Sequence, residues 1–306
     1  MTVASHTSLF HISFYKFVAL VDAASVAKHV RALAAQHDLQ GLIDVAHEGI
    51  SAAVSGTAEA LDAFEFGLSN DAVFEGAFNG TVFKRTACKT KPFHSLKVSH
   101  VPELIKIGLD EETNKRVDAT TPHGISLSPK EWRELIAQDD VVLIDNRNSF
   151  EFELGRFKGA IDPKVAHYRD FPKFIESNLP KWKAEGKRVA MYCTGGIRCE
   201  KTAAWMDTLD TQIYQLEGGI ISYLAAMPDA ERDWMGECFV FDNRLALDAK
   251  LQETDTDIDD IYDVERDGQW RIERAKRLCG WATGPVITES PSTSPAPSNA
   301  SKADGS

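Results

Sequence analysis

Cysteine is scarce in this 306-residue chain, with five residues at positions 88, 193, 199, 238 and 279. The count is odd, the spacing is wide and no Cys-x-x-Cys pair occurs, so neither a disulfide framework nor a zinc cluster of ordinary spacing fits. In the reducing compartment this implies, a cysteine singled out by its surroundings reads as catalytic rather than structural. No apolar run approaches the roughly 20 residues of a membrane-crossing helix. The opening MTVASHTSLFHISFYKFVAL has no basic stretch ahead of an apolar one, so it reads as neither signal peptide nor anchor. The expected setting is the cytoplasm. Gly-x-Gly-x-x-Gly is absent, and no two histidines and a carboxylate have the spacing of a non-haem iron site, so no cofactor or metal site is evident. Basic residues are outnumbered, 34 against 46 acidic, giving a net charge of −12. That excludes a surface built throughout for polyanions and leaves room for a local basic patch.

What is present divides into two domains, as the length suggests. Residues 14–22 alternate and predict a strand, and 23–37 place Val26, Val30, Leu33 and Ala34 at helical spacing. Residues 41–55 read as two strands about a turn at Glu48-Gly49. A helix at 57–68 carries Leu61, Phe64 and Leu68 on one face, and 83–88 reads as a strand. After an arm at 1–13, this β-α-β-β-α-β order predicts a ferredoxin-like (acylphosphatase-like) α+β domain over 14–106. Its end, 84–106, gathers Lys84, Arg85, Lys89, Lys91, Lys97 and Lys106 against the acid Glu103. Two readings stay open: a solvated linker, or a strip contacting RNA phosphates with Phe93, His94 and His100 free to stack. Residues 107–125 read as the connection between domains.

Ser128, Pro129 and Glu131 form a helix-start signal ahead of 128–138. Short apolar runs at 141–145, 188–192 and 212–216 alternate with helices at 168–178, 199–209 and 219–226. This predicts an α/β domain with a mostly parallel sheet over 126–248, its chemistry just beyond the carboxyl ends of the strands. Residues 249–306 are acidic and then, from 284, rich in Ser, Pro and Ala, a composition that predicts disorder. Asp255, Asp257 and Asp259 imitate a calcium loop, but Asp260 stands where Gly is needed and Arg266 where Glu is, so no metal site is read there.

The chemistry concentrates in MYCTGGIRCEKTAAWM, 191–206. Cys193 directly follows a buried strand, Gly195 and Gly196 let the backbone curl with amides inward, and a helix begins near Cys199. Inward amides and a helix N-terminus stabilise an anion, so the Cys193 thiol is expected below the ~8.5 of a free cysteine. The same cradle would hold a persulfide or sulfenate. Thr194 and Ile197 complete the loop, and Arg198 adds a permanent positive charge. Cys199 reads either as a thiol that resolves oxidised Cys193 or as a packing residue. Glu200 and Lys201 flank the pocket or fill the first helical turn. Asp145 and Arg147 read as braces for the loop, Glu48 as a turn acid facing RNA or solvent, and Cys238 as a packing residue.

This loop, with IDNRNSFEFELGRFKGAI at 144–161 and LEGGI at 216–220, resembles the rhodanese superfamily. Asp145, Arg147, Glu151, Gly155, Gly159 and Ala160 follow its signature in order. The spacing here is Cys-x4-Arg, tighter than the Cys-x5-Arg of related phosphatases, and suits a single atom on the sulfur. CTGGIRCEK (193–201), GECFVFDNR (236–244) and AHEGIS (46–51) resemble, more narrowly, the bacterial tRNA uridine(34) hydroxylase family, over residues 14–248. That resemblance implies oxygen-dependent conversion of the wobble uridine to 5-hydroxyuridine, with molecular oxygen as cosubstrate and the anticodon arm of tRNA as partner. It also implies an active cysteine, able to carry a persulfide, at Cys193. Two departures stand out: the cysteine-rich tail of many relatives is reduced here to Cys279, and Asn146 replaces an apolar residue, which reads as tolerated variation. The alternative is a sulfurtransferase that moves sulfur from a small donor through a Cys193 persulfide. An RNA-binding module with a vestigial loop fits less well, because Cys193 and Arg198 are intact.

Overall fold

The computed structural model describes residues 8–263 and 267–278. The N-terminal part runs β1 (Leu9–Phe17), α1 (Ala23–Gln36), β2 (Gln40–Ala46), β3 (Gly49–Gly56), α2 (Ala58–Asn70), β4 (Lys84–Cys88) and β5 (Leu96–His100). The sheet order is β4-β1-β3-β2-β5, antiparallel except for the β2–β5 pair. Alternate residues of a strand face opposite sides of its sheet. Ile12 and Phe14 of β1 therefore join the core under α1 and α2 with Val30, Leu61 and Phe64. His11, Ser13 and Tyr15 line the other face, which fronts the second domain.

The strand expected at 14–22 lies earlier, because the alternation already begins at Leu9. After Phe17 the amides of Val18 and Leu20 bond to the loop carbonyls of Glu48 and His47, and Val21 is fully exposed. The basic stretch 84–106 is neither a linker nor a free strip throughout. It contains two edge strands, and in β5 the inward Val98 alternates with the outward Lys97. Phe93, expected to be available for stacking on RNA, is buried against the His11 ring.

The region expected to connect the domains holds a short helix, α3 (Glu111–Asn114), and ends in β6 (Ile125–Leu127), a strand with no counterpart among the sequence expectations. There follow α4 (Pro129–Ile136), β7 (Val141–Asp145), α5 (Ser149–Leu154), β8 (Gly155–Phe157), α6 (Phe171–Ala184), β9 (Arg188–Tyr192), α7 (Ile197–Asp207), β10 (Ile213–Leu216) and α8 (Gly219–Ala226). The sheet β6-β10-β9-β7 is parallel throughout. Ser128 and Glu131 close a reciprocal capping box at the start of α4. Helix α6 extends past the expected 178, and α7 begins at Ile197, so Arg198, Cys199 and Glu200 all lie in its first turn.

Beyond α8, β11 (Trp234–Gly236) pairs with β8, and β12 (Cys238–Phe239) pairs with β13 (Ala246–Leu247). Among its described residues, the acidic segment after 248 contributes packed apolar side chains rather than a free tail. In α9 (Ile258–Ile261) and α10 (Gln269–Leu278), Ile258, Ile261 and Ile272 are buried with Phe150, Phe239 and Leu245. Its aspartates serve helix ends: Asp257 accepts from the amides of Asp259 and Asp260. Cys279, the stretch 284–306 expected to be disordered, and most of the arm at 1–13 lie outside the described residues. Among the described residues no helix is long and apolar enough to cross a membrane.

Candidate active site

Tyr192 ends β9, Cys193 follows it, and α7 begins after three more residues. Cys193 is 1% exposed, at the floor of a cleft of about 390 Å³ between the two sheets, within the usual size range of small-ligand sites. The Gly196 amide donates to its Sγ at 3.1 Å. Gly196 adopts a left-handed φ of +106°, and a Cβ there would stand 2.6 Å from the Tyr15 hydroxyl. Gly195 does not share this constraint: an added Cβ would meet nothing within 4 Å. Burial raises the Cys193 thiol. The hydrogen bond from Cys199, the charge of Arg198 and the amides of Cys199 and Gly196 outweigh burial and bring it to about 6. The thiolate therefore predominates at neutral pH.

The N-terminus of α8 also serves this loop. Its Ile220 and Ile221 amides donate to the carbonyls of Cys193 (3.0 Å) and Thr194 (3.2 Å). The orphan donors at that helix start thus fix the loop, where free amides would otherwise take solvent.

Arg198 is not a free anion receptor. It is buried, and its two terminal nitrogens bind the Glu151 carboxylate at 2.9 Å each. Its charge still favours the thiolate, but a carboxylate offsets it. Glu151 also accepts from the Thr194 hydroxyl at 3.4 Å. Ile197, partly buried, packs with Tyr15 and Leu104 at the junction of the domains. Asp145 and Arg147 form a fully buried bidentate pair (2.8 and 2.6 Å), and Arg147 also donates to the Gly155 carbonyl. Neither lines the cleft, and the Arg147 guanidinium lies over the ring of Tyr192, the residue before Cys193.

Asn146, read from the sequence as tolerated variation, has a defined place. Its side-chain amide donates to Thr202 Oγ1 at 2.9 Å and lies 3.9 Å from Cys199 Sγ. Tyr168 bonds to the same Thr202 hydroxyl and to the Arg198 carbonyl, closing a buried polar network under α7. Cys199 is buried within it, and burial and the Cys193 sulfur hold its thiol well above its ordinary value. Cys238 is fully buried, and burial pushes it up to about 12.

The opposite wall comes from the N-terminal sheet: His11, Ser13 and Tyr15 of β1, with Lys84 and Thr86 of β4. The segment after β12 supplies Phe241, Asp242 and Arg244. Arg244 grips Asp242 (2.8 and 2.7 Å) and donates to Thr86 Oγ1 across the domain boundary at 2.8 Å. Phe241 is 55% exposed at the rim, over the Arg198 guanidinium.

Several residues do not stand where the sequence suggested. Glu48 is part-buried rather than a free turn acid. It accepts from the Leu104 amide at 2.8 Å and pairs with Lys201, which is thereby withdrawn from the pocket. Glu200 turns toward Tyr15, whose hydroxyl it binds. Lys84 lies in the cleft rather than on an open strip. Arg85, the next residue of the strand, points to the other face and is bound by Asp62 and Glu65 at 2.7 Å each. Lys89, Lys91 and Lys97 are exposed. The backbone amides of Lys89 and Thr90 are taken by Glu253 of the acidic segment. No motif pointed to His11 or Tyr15, and Asp242 and Arg244 stood in GECFVFDNR without a role read for them. Polar residues alternating with Ile12 and Phe14 were the one local sign that the second face of β1 has a use. Among the described residues no group of three or more His, Cys, Asp or Glu is arranged to hold a metal ion.

The UPF0176 acylphosphatase-like domain matches residues 10–104, and the rhodanese-like domain matches residues 128–226. A protein of Legionella pneumophila (strain Corby) named tRNA uridine(34) hydroxylase is 39% identical over 256 residues, 83% of this chain and 96% of its own length. A protein of the same name from Nitrobacter winogradskyi is 40% identical over 243 residues, 79% of this chain and 92% of its own. Another, from Acinetobacter baumannii (strain AYE), is 39% identical over 242 residues, 79% of this chain and 73% of its own.

Proposed function

The chain belongs to the tRNA uridine(34) hydroxylase family, and from that premise we propose that it hydroxylates uridine 34 of tRNA at C5, with Cys193 as the reactive residue. The observation that carries this reading is a low-pKa thiol at the floor of a cleft whose far wall belongs to another domain. Passing one sulfur atom needs only the loop. A cleft walled by two sheets, with an exposed aromatic at its rim, suits a base turned out of a nucleic-acid strand. The anticodon arm presents the base, and exposed Lys89, Lys91 and Lys97 meet its phosphates. The cytoplasm, where tRNA resides, is the setting.

The chemistry follows from the thiolate. Uracil C5 is a poor nucleophile until a nucleophile adds at C6, which places electron density on C5. Cys193 adds there, C5 takes one oxygen atom from molecular oxygen, and loss of the C5 proton with expulsion of the thiolate restores the ring. An external two-electron donor reduces the second oxygen atom to water. Tight binding of iron or flavin, in proportion to activity, would replace this reading.

The test is a nucleoside analysis of bulk tRNA by mass spectrometry. It uses a deletion strain and strains complemented with wild type or Cys193→Ser. The 5-hydroxyuridine-derived nucleosides are expected to fall on deletion and to return only with wild type. If levels do not move, and purified protein leaves unmodified tRNA unchanged, the proposal fails and sulfur transfer through a Cys193 persulfide takes its place.

A further inference from the structure

The Cys193 cleft also holds Lys84, and Glu200 borders the cleft beside it. Lys84, on β4 of the N-terminal sheet, reaches across the Tyr15 ring, with Nζ 5.2 Å from its centroid. It lies against Gly218, where an added Cβ would stand 3.2 Å from its Cε. With Tyr15 it forms the partition between the Cys193 cleft and a second cleft that Glu200 borders. Burial holds the Lys84 pKa below its ordinary value, and the charges of the Cys193 sulfur and the Glu200 carboxylate oppose that by favouring the ammonium. The Tyr15 hydroxyl holds Glu200 in place, and Glu200 in turn repels negative charge on Cys193.

Arg198 is bound to Glu151, whose carboxylate offsets its charge. Besides Arg198, the charges that act on Cys193 are Lys84 from the N-terminal domain and Glu200 from α7. The other titratable groups around it, Tyr15, Tyr168, Cys199 and Cys238, are all pushed up by burial and stay neutral near pH 7. Charges in a buried site interact more strongly than in water, where the dielectric screens them.

We propose that Lys84 is a positioning residue for the Cys193 thiolate: it neutralises Glu200 and stabilises the negative sulfur, so the reactive centre is complete only with the N-terminal domain in place. This rests on Cys193 being the reactive thiol of the proposed function. It differs from a tRNA-phosphate role for Lys84, which would leave the free protein's thiol untouched.

The test titrates the thiolate absorbance of the full-length protein without tRNA, subtracting the signal of Cys193→Ser. The wild-type midpoint is expected near 6. Lys84→Met removes a positive charge and leaves Glu200 unopposed, so the midpoint rises by about one pH unit or more. Glu200→Gln removes the repelling charge, so the midpoint falls. The Lys84→Met/Glu200→Gln double variant lies between the two, and Lys84→Arg stays near wild type. Loosened packing would move both single variants in the same direction, so the opposite signs distinguish charge from structure. If Lys84→Met does not fold, Lys84→Gln carries the same sign test. An unmoved midpoint in the Lys84 variant, or a raised one in Glu200→Gln, overturns the proposal. So does an unchanged titration accompanied by a raised KM for tRNA and a flatter salt dependence, which would mark Lys84 as a phosphate ligand. Because tRNA is not involved, failure of the hydroxylation assay would count against the proposed function and leave this result standing.

Discussion

Burial makes a thiol harder to ionise, because the thiolate loses its hydration. Cys193 is almost wholly buried and yet ionises more easily than a free cysteine, since the donors aimed at its sulfur more than replace water. This has a direct kinetic consequence. The reactive form is the deprotonated one, so its population grows as pH rises through about 6 and saturates above it. Single-turnover hydroxylation at saturating tRNA is expected to rise across that range and then level. A rate still climbing above about pH 8, where an unperturbed thiol titrates, would show that the cradle does not activate the sulfur. Arg198 shows a related effect. A lone arginine in a loop sequence suggests a receptor for anions, but its charge here is shared with Glu151, a partner 47 positions earlier in the chain.

At the scale of elements, two helix N-termini converge on one loop. Helix α7 directs its first turn at the Cys193 sulfur, whereas α8 spends its first amides on the carbonyls of Cys193 and Thr194. That second arrangement requires close backbone approach at Gly219, which has φ +69° and where a Cβ would stand 2.5 Å from the Cys193 carbonyl oxygen. Gly219→Ala is expected to destabilise the protein by ~1–3 kcal/mol, from strained backbone and the displaced loop, and to raise the Cys193 midpoint. Gly195→Ala is the control: its methyl meets nothing within 4 Å, and stability should hardly change. Urea denaturation of the two variants, with thiolate titration, checks both statements. Equal stability losses would contradict the account.

For the whole molecule, the join between domains includes a buried polar cluster. His11 lies between the β1 face and the Asp242–Arg244 pair, with its ring stacked on Phe93. Burial, then the Arg244 charge, lower it from 6.5 to about 4 against the pull of Asp242. The unfolded chain binds a proton that the folded one refuses. The stability this group permits is therefore complete above the unfolded value and declines as pH falls toward the folded one. His11→Phe, which keeps the stacking, should lose less stability than wild type between neutral pH and a pH midway between those two values. An identical acid loss in both proteins, measured by denaturant unfolding, would reject the assignment. The charge distribution yields a further expectation. Exposed Lys89, Lys91 and Lys97 should each lower tRNA affinity when changed to Ala. Each change should also reduce the slope of log affinity against log salt by about one, because one fewer phosphate is neutralised. Arg85→Ala should do neither, because Asp62 and Glu65 already hold that guanidinium.

The cysteine with the lowered thiol pKa, its loop and the parallel sheet behind it were legible in the sequence because each is local. A short buried strand, a glycine turn and a helix start occupy consecutive residues, 188–207, and their periodicities survive without knowledge of the rest of the chain. The N-terminal α+β order was legible for the same reason, although β5 and β6 were hidden, one under lysines and the other in a very short stretch. Only the tertiary structure decided which basic residues belong to the site. Lys84 and Arg85 are neighbours in sequence, and the pleat of one strand sends the first into the Cys193 cleft and the second to the acids of α2. Only the packing of two domains brings Tyr15 and Lys84 to Cys193. Charge pairing across that boundary depends on distance in space, which the order of residues along the chain does not encode.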